Sequence, residues 1–120
     1  MDDGDTSVET VSATKSVGST WTDYGTLTIT KNGVCSIRLW ENGGSSGTTK
    51  MRAQARVLKN GTSLMAIGAW SISNYAGNNF AETSDTQVFW LEKDDILTVQ
   101  GKNENWIGNN AVSMSVKQIY

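Results

Sequence analysis

The sequence predicts an all-β protein, an antiparallel β-sandwich of about eight to ten strands. Apolar and polar residues alternate with a period of two along most of the 120-residue chain, which is typical of strands with one buried face. Gly, Asn and Ser clusters interrupt this alternation roughly every 8 to 14 residues. The length suits one domain, residues 1–120, in which the acidic residues 1–6 form either a disordered tail or the start of a strand.

Eight segments are predicted as strands. In chain order they are Ser7–Ser16, Gly25–Thr30, Gly33–Glu41, Lys50–Leu58, Ser63–Ser73, Thr86–Leu91, Ile96–Gln100 and Ala111–Ile119. The first is rich in Thr and Val and is predicted to be an edge strand. The third places Cys35, Ile37 and Leu39 inward, with Arg38 and Trp40 on the opposite face. The fourth is compatible with a helix by propensity, but its alternation of small apolar residues with Arg and Gln favours a strand.

The segments between the strands contain turn signals. "ENGGSSGTT", residues 41–49, has three Gly and no apolar residue, and it predicts a loop. "KNG", residues 59–61, predicts a tight turn because Asn and Gly tolerate positive φ. Residues 74–85 and 103–110 are predicted to be longer loops. The run Val88–Leu91 is apolar on both faces, so we expect the partner sheet on one side and a loop or second subunit on the other.

Composition excludes several classes of function. The net charge is −2 and no segment is dense in Lys or Arg, so we expect no nucleic-acid partner. The chain has no His, so the commonest general base and metal ligand is absent. Its one cysteine, Cys35, is predicted to be a small buried residue. No apolar run is long enough to cross a membrane, and the acidic N-terminus is unlike a signal peptide. We therefore expect no enzyme activity, no cofactor, no metal and no membrane insertion.

Several strings resemble the C1q/TNF-like jelly-roll family. "RVLKNGT" is followed about 25 residues later by "TQVFWLEKDDILTVQ", which is similar to the paired strands of that family, and "TLTITKNGVCSIRLW" is similar to an earlier strand. "TWTDYGTLTITKNG" also resembles the heads of phage tail-fibre and receptor-binding proteins. The resemblance covers about residues 20–120. It implies a two-sheet sandwich that assembles as a homotrimer and binds proteins or glycans without being an enzyme.

Two segments combine aromatic rings with amides: "WSISNYAGNNF", residues 70–80, and "NENWIGNN", residues 103–110. A ring can stack on a sugar face while Asn bonds to hydroxyls, and such loops also suit protein recognition. The candidate ligand-binding residues are Trp70, Tyr75, Asn78, Asn79, Asn103, Asn105, Trp106 and Asn109. The alternative is that the rings fold back over the ends of the sheets while the Asn residues serve turns.

The candidate subunit interface consists of Arg38, Trp40, Trp90 and Tyr120, because Trp and Arg are enriched in interface hot spots. Trp40 remains compatible with the core or a ligand site, and Trp90 with the core. The carboxylates Glu92, Asp94 and Asp95 are explained as an acidic turn. A calcium site or a pair of glycosidase carboxylates is the weaker alternative.

The sequence therefore predicts a virion component, a phage or prophage tail, fibre or surface protein domain that trimerises and binds a host cell-surface ligand, with a glycan favoured. The alternatives are a purely structural decoration protein that contacts other virion proteins, and a free lectin-like module. The expected location is the virion, or otherwise the extracellular space or cell surface.

Overall fold

The computed structural model describes residues 8–45, 50–73 and 79–120, and these contain nine strands and no helix. The strands are β1 (Val8–Val17), β2 (Thr22–Thr28), β3 (Gly33–Ser45), β4 (Arg52–Lys59), β5 (Thr62–Trp70), β6 (Ile72–Ser73), β7 (Asn79–Leu91), β8 (Ile96–Glu104) and β9 (Gly108–Gln118). They form a five-stranded sheet, in the order β1-β9-β3-β7-β6, and a four-stranded sheet, in the order β2-β8-β4-β5. All pairs are antiparallel, which confirms the predicted sandwich, and β1 is an edge strand as expected.

Alternation along β3 builds the core. Cys35, Ile37 and Leu39 are buried between the sheets, as predicted, while Arg38 is exposed on the outer face. Burial raises the pKa of the Cys35 thiol, which opposes formation of a thiolate. The remaining residues of this core cluster come from both sheets: Val17, Tyr24, Leu27, Ile29, Ala55, Val57, Met65, Leu91, Leu97, Val99, Val112, Met114 and Val116.

Three predicted loops are partly strand. In the predicted loop 103–110, residues 103–104 belong to β8 and residues 108–110 belong to β9. The other two lie opposite each other. β3 continues through Asn42–Ser45 and pairs there with Asn79–Glu82, the start of β7, although glycines and polar residues predicted a loop in both places. Gly43 explains the error, because a Cβ atom at this position would lie 3.0 Å from Ala53 Cβ and 3.2 Å from Met51 Cε. The glycine therefore permits close approach of the two sheets within a strand and does not mark a turn.

The predicted strand Ser63–Ser73 is divided between the sheets. β5 belongs to the four-stranded sheet, β6 belongs to the five-stranded sheet, and the buried Ser71 connects them. The backbone N–H of Ser71 donates to Met51 O at 2.7 Å, and the Ser71 hydroxyl accepts from the Met51 N–H at 2.9 Å. These two bonds fix the point at which the chain crosses from one sheet to the other.

The turn at "KNG" forms as predicted. Asn60 has φ 51° and Gly61 has φ 85°, the left-handed conformations that a two-residue hairpin turn requires. The Asn60 side chain also reaches the neighbouring hairpin, accepting from Ile96 N–H at 2.9 Å and donating to Asp95 Oδ1 at 2.9 Å. The turn between β4 and β5 is thus tied to the start of β8.

A polar network occupies one end of the core. The Tyr24 hydroxyl donates to Asn110 O at 2.9 Å, and the Asn110 amide donates to Asn103 Oδ1 at 3.0 Å. The Asn103 amide in turn donates to Gly108 O at 3.1 Å. Both Asn side chains are fully buried, so these bonds offset the cost of removing their amides from water.

Glu41 is buried near this network but forms no hydrogen bond with it. Neither carboxyl oxygen has a hydrogen-bond partner among the described residues, and the side chain is fully buried. Desolvation raises the pKa of Glu41 to about 8, and the charge of Arg52 opposes part of that shift. Burial, with a contribution from Glu41, also raises the pKa of Tyr24 to about 12. The folded protein therefore favours a neutral Glu41.

Replacing Gly61 with Ala tests the turn. Nothing lies within 4 Å of a Cβ atom at this position, so the cost comes from the positive φ alone. We expect Gly61→Ala to lower the free energy of unfolding by about 1 kcal/mol in urea denaturation. The adjacent exposed substitution Thr62→Ala is the control and should have a smaller effect. An unchanged midpoint for Gly61→Ala would contradict the turn geometry.

Because the pKa of Glu41 is raised in the folded protein, we expect the free energy of unfolding to fall as pH rises. Its folded pKa of about 8 lies above its ordinary value of 4.5, so the folded state binds the proton more tightly. This contribution is fully present below about pH 4.5 and is lost as pH rises through 8, with a slope of at most about 1.4 kcal/mol per pH unit. Glu41→Gln, which mimics the neutral carboxyl, should flatten that dependence in unfolding measurements between pH 5 and 8. Parallel curves for the two proteins would refute a neutral Glu41.

Candidate functional site

Trp70, from the first aromatic segment, and Glu104, from the second, lie on either side of Arg52 at one end of the sandwich. Arg52, at the start of β4, lies opposite Trp70 on β5 and opposite Glu104 on β8. Asn105, Trp106 and Ile107 follow β8 and lead into β9 in the other sheet. We call residues 50–52, 70 and 104–109 the loop end. The register places Arg52 beside Trp70 and Glu104, whereas Asn109 lies on β9 and points to the outer face of the five-stranded sheet.

Trp70 is exposed at this end, so the alternative in which its ring folds back over the sheets does not hold for this residue. Its side chain is 47% exposed, and its ring centroid lies 5.5 Å from Lys50 Nζ and 5.9 Å from Arg52 Cζ. The two cations are attracted to the negative face of the indole. Trp70 therefore combines accessible apolar area with adjacent positive charge.

Trp106 has a different environment from the one predicted. Its ring is half-buried and packs with the buried side chains Met51, Ala53 and Ala81, and its indole Nε1 is buried without a hydrogen-bond partner among the described residues. This matches the alternative in which a ring folds back over the end of the sheets. The exposed large apolar residue of the segment is Ile107, at 77%, which is not among the residues predicted from the sequence.

The predicted Asn residues divide into two groups. Asn103 is a correction, since it lies inside β8, is fully buried and serves the polar network of the core. Asn105 and Asn109 are exposed, and Asn105 has φ 64°, a conformation that Asn tolerates better than most residues. The backbone of Asn79 pairs with Ser45 at the start of β7. Tyr75 and Asn78 lie outside the described residues.

The acidic turn lies at the opposite end of the sandwich and is confirmed as a turn. Asp95 Oδ2 accepts from the Glu92 N–H at 2.8 Å, and Asp94 has φ 74°. Together with the bond from the Asn60 amide, the Glu92 bond lowers the pKa of Asp95. Within the described part of the chain, no group of three or more His, Cys, Asp or Glu side chains could hold a metal ion. The Asp95 carboxylate is occupied in closing the corner between β7 and β8.

Three of the four predicted interface residues share the outer face of the five-stranded sheet. Arg38 and Trp40 lie on β3, and the Trp40 indole N–H donates to Glu82 Oε1 at 3.0 Å. Trp90 lies on β7 and is 59% exposed, so the core alternative for this residue is wrong. Tyr120 follows β9, is exposed, and its backbone N–H donates to Val34 O at 3.4 Å.

The outer face of the five-stranded sheet also carries apolar residues. Val34 lies opposite Trp90, and Val88 follows on the same face of β7 at 57% exposure. The Ile119 backbone N–H donates to Val34 O at 2.7 Å, so the exposed Ile119 lies next to Val34 beyond the end of β9. We call Val34, Val88, Trp90 and Ile119 the apolar face. The sequence predicts that the run Val88–Leu91 is covered on both sides. The outer side of this run belongs to the apolar face, and no loop among the described residues covers it.

Comparison with known proteins gives a fold. No family model and no curated protein matches the sequence. The globular domain of the zebrafish complement 1qA protein is similar over 97% of this chain and 98% of its own, with a TM-score of 0.58 and 8% identity. The Eiger TNF of S. frugiperda is similar over 81% of this chain and 66% of its own, with a TM-score of 0.53 and 11% identity.

Identities this low establish similarity of fold and not of ligand. Within the part of the chain that the structure describes, no helix has the length and apolar character needed to span a membrane. The strand order, the two antiparallel sheets and the structural matches agree with the family indicated by the sequence strings. The chain has a C1q/TNF-like jelly-roll fold.

Proposed function

We infer that this chain is a non-enzymatic binding domain that assembles as a homotrimer and recognises a glycan or protein on a cell surface. Domains with the C1q/TNF-like fold typically trimerise, which supports the assembly part of this proposal. The observation that carries it is the apolar face, where Val88 and Trp90 are each more than half exposed on the outer face of the five-stranded sheet. Large apolar side chains grouped in this way are stabilised when another surface removes them from water.

The position of the apolar face favours a second copy of the chain as its cover. The face lies on the pleated surface of regular strands, and Arg38 and Trp40 extend it along β3. The Trp40 indole is held by Glu82, so it presents a fixed surface with little further loss of side-chain entropy. Assembly through this sheet leaves the outer face of the four-stranded sheet in solvent, with Arg52 and Trp70 on it.

The ionisable groups of the described residues support a binding role. The buried Cys35 thiol has a raised pKa, and Glu41 is enclosed by the core. Asp95, the best-defined carboxylate of the acidic turn, accepts two hydrogen bonds from the protein itself. None of these groups combines access to a substrate with a partner that would activate it.

The loop end supplies the proposed ligand contacts. Trp70 offers an exposed ring, while Asn105 and Asn109 offer exposed amides. Three copies in one trimer would add avidity, so each site can be shallow. The proposed setting is a phage or prophage virion, with the extracellular space or a cell surface as the alternative, and its support is the resemblance of residues 20–33 to tail-fibre and receptor-binding heads.

A purely structural role in the virion is the second candidate. Ile107 is the most exposed large apolar residue at the loop end, and it suits contact with a protein better than contact with sugar hydroxyls. In this case the loop end would attach the domain to a neighbouring virion protein. A free lectin-like module would use the same surfaces as the first candidate but would not be part of a virion.

Charge placed on the apolar face tests the trimer. Trp90→Glu should give a folded monomer, because each subunit contact would bury an unpaired carboxylate. Sedimentation equilibrium at micromolar concentration measures the mass, and the exposed substitution Thr26→Glu on the four-stranded sheet is the matched control. A monomeric wild-type protein under these conditions would refute the homotrimer.

Loop-end variants test ligand recognition on a glycan array. Trp70→Ala and Asn109→Ala should each weaken binding with little change in melting temperature, because both side chains are exposed. Trp106→Ala should instead lower the free energy of unfolding by about 2–4 kcal/mol, because its ring packs on buried residues. Absence of binding to every glycan at high protein concentration would favour the structural candidate.

A further inference from the structure

The outer face of the four-stranded sheet concentrates positive charge. Lys50, Arg52, Arg56 and Lys102 lie there, four of the ten basic residues of a chain whose net charge is −2. Two of its twelve acidic residues, Asp23 and Glu104, accompany them. We call these four cations, together with Trp21 and Trp70, the basic face. Its positive balance contrasts with the acidic character of the whole chain.

Two of the cations, those of Arg56 and Lys102, lie over the ring of Trp21. The guanidinium of Arg56 lies 4.2 Å from the ring centroid of Trp21, and Lys102 Nζ lies 4.8 Å from it. Two like charges repel each other, but the negative potential of the indole face attracts both. The ring therefore holds together a pair of cations that would otherwise separate into solvent.

Arg56 is also oriented by a chain of hydrogen bonds. Its Nε donates to Gln100 Oε1 at 2.7 Å, and Gln100 Nε2 donates to Asp23 Oδ1 at 2.6 Å. The Asp23 carboxylate thus acts through Gln100 and does not pair directly with the guanidinium. No described side chain accepts a hydrogen bond from the Arg56 Nη atoms, which leaves two donor groups for an anion.

Trp70 forms the second cationic cluster, with Lys50 and Arg52. A Cβ atom at Gly68 would lie 3.3 Å from Arg52 Nε and 3.3 Å from Arg52 Nη2, so the glycine makes room for the guanidinium over β5. Glu104 Oε1 lies 3.9 Å from Arg52 Nη1, a distance too long for a hydrogen bond. Both partners of this pair are about one-third exposed, so the pair neutralises little of the charge.

We propose that the basic face binds an acidic polysaccharide, with carboxylate or sulfate groups on the two cationic clusters and a sugar ring against Trp70. Arg52 and Arg56 are four residues apart on β4, which separates their Cα atoms by roughly 13 Å. Two clusters at this spacing match an anionic polymer better than a single charged sugar. This inference rests on the proposal that the chain is a binding domain, and it is independent of the trimer.

The layout favours a polysaccharide over nucleic acid. A nucleic acid presents closely spaced phosphates, and its affinity depends on many adjacent cations. Here the two clusters are separated, and Asp23 and Glu104 lie beside them. The cations lie closer to Trp21, at 4.2 and 4.8 Å, than to Trp70, at 5.5 and 5.9 Å, and Trp70 is the more exposed ring of the face. Widely spaced anions joined by neutral hydroxyl-bearing rings fit this arrangement.

Binding of the full chain to four polymers tests the inference. The probes are heparin (sulfated), polygalacturonate (carboxylate only), dextran (neutral) and single-stranded DNA. We expect binding to at least one acidic polysaccharide, weakening as salt is added, and no binding to dextran. Equal or tighter binding to the DNA would overturn the assignment to a polysaccharide, and binding to neither acidic polysaccharide would overturn the inference.

Charge-neutralising variants locate the site. Arg56→Gln and Lys102→Gln should each weaken binding to the acidic polysaccharide about threefold to tenfold. Lys93→Gln, which removes a charge at the acidic turn, is the matched control and should leave the affinity unchanged. Lys102→Gln keeps the test valid if Arg56→Gln fails to fold. Equal losses in Lys102→Gln and Lys93→Gln would show that net charge alone causes binding and would overturn the proposed site.

The outcomes separate this inference from the proposed function. Salt-dependent binding by a protein that sediments as a monomer would support the basic face and refute the homotrimer. Binding only to neutral glycans, lost in Asn109→Ala and retained in Lys102→Gln, would support the loop end and refute the basic face.

Discussion

The register of β3 is the constraint on which the rest of the molecule depends. This strand lies between β9 and β7, and its pleat sends alternate residues to the core and to the apolar face. A shift of one residue would exchange the two sets and place Arg38 between the sheets. Gly43 helps to exclude that shift, because it occupies the point where β3 approaches Ala53 and Met51 of the opposing layer. Core packing and the proposed subunit contact are therefore two consequences of one register.

The two outer faces of the sandwich differ in chemistry, and this difference gives the proposed division of roles. The five-stranded sheet presents Val88 and Trp90, whose exposure favours contact with another chain. The four-stranded sheet presents Arg56 and Lys102, which are solvated and held by Trp21. Because the two faces are on opposite sides of one core, occupation of one leaves the other accessible. A domain built in this way can assemble and bind a ligand at the same time.

The sequence predicted the features that depend on local pattern. Alternation identified the buried face of β3, and "KNG" identified the turn at Asn60 and Gly61, because both follow from the geometry of neighbouring residues. It did not predict that Asn103 is buried, because the hydrogen bond that its side-chain oxygen accepts comes from Asn110 in the other sheet. The direction of the Trp106 ring was equally open, since it depends on the packing of Met51 and Ala81. Polar residues near glycines are typical of loops, but in this fold Asn103 and Asn110 are buried between the sheets.

The pairing of the first strand with the last has a consequence for synthesis on the ribosome. Val8 lies opposite Lys117 and Cys35 lies opposite Gln118, so neither β1 nor one edge of β3 has its partner until β9 has been translated. Until then the antiparallel pair of β3 and β7 presents an open edge next to its apolar residues, an arrangement that favours pairing with other chains. Folding of the five-stranded sheet is therefore a late, non-local event, and the interval before β9 emerges is when a nascent chain is most exposed to aggregation.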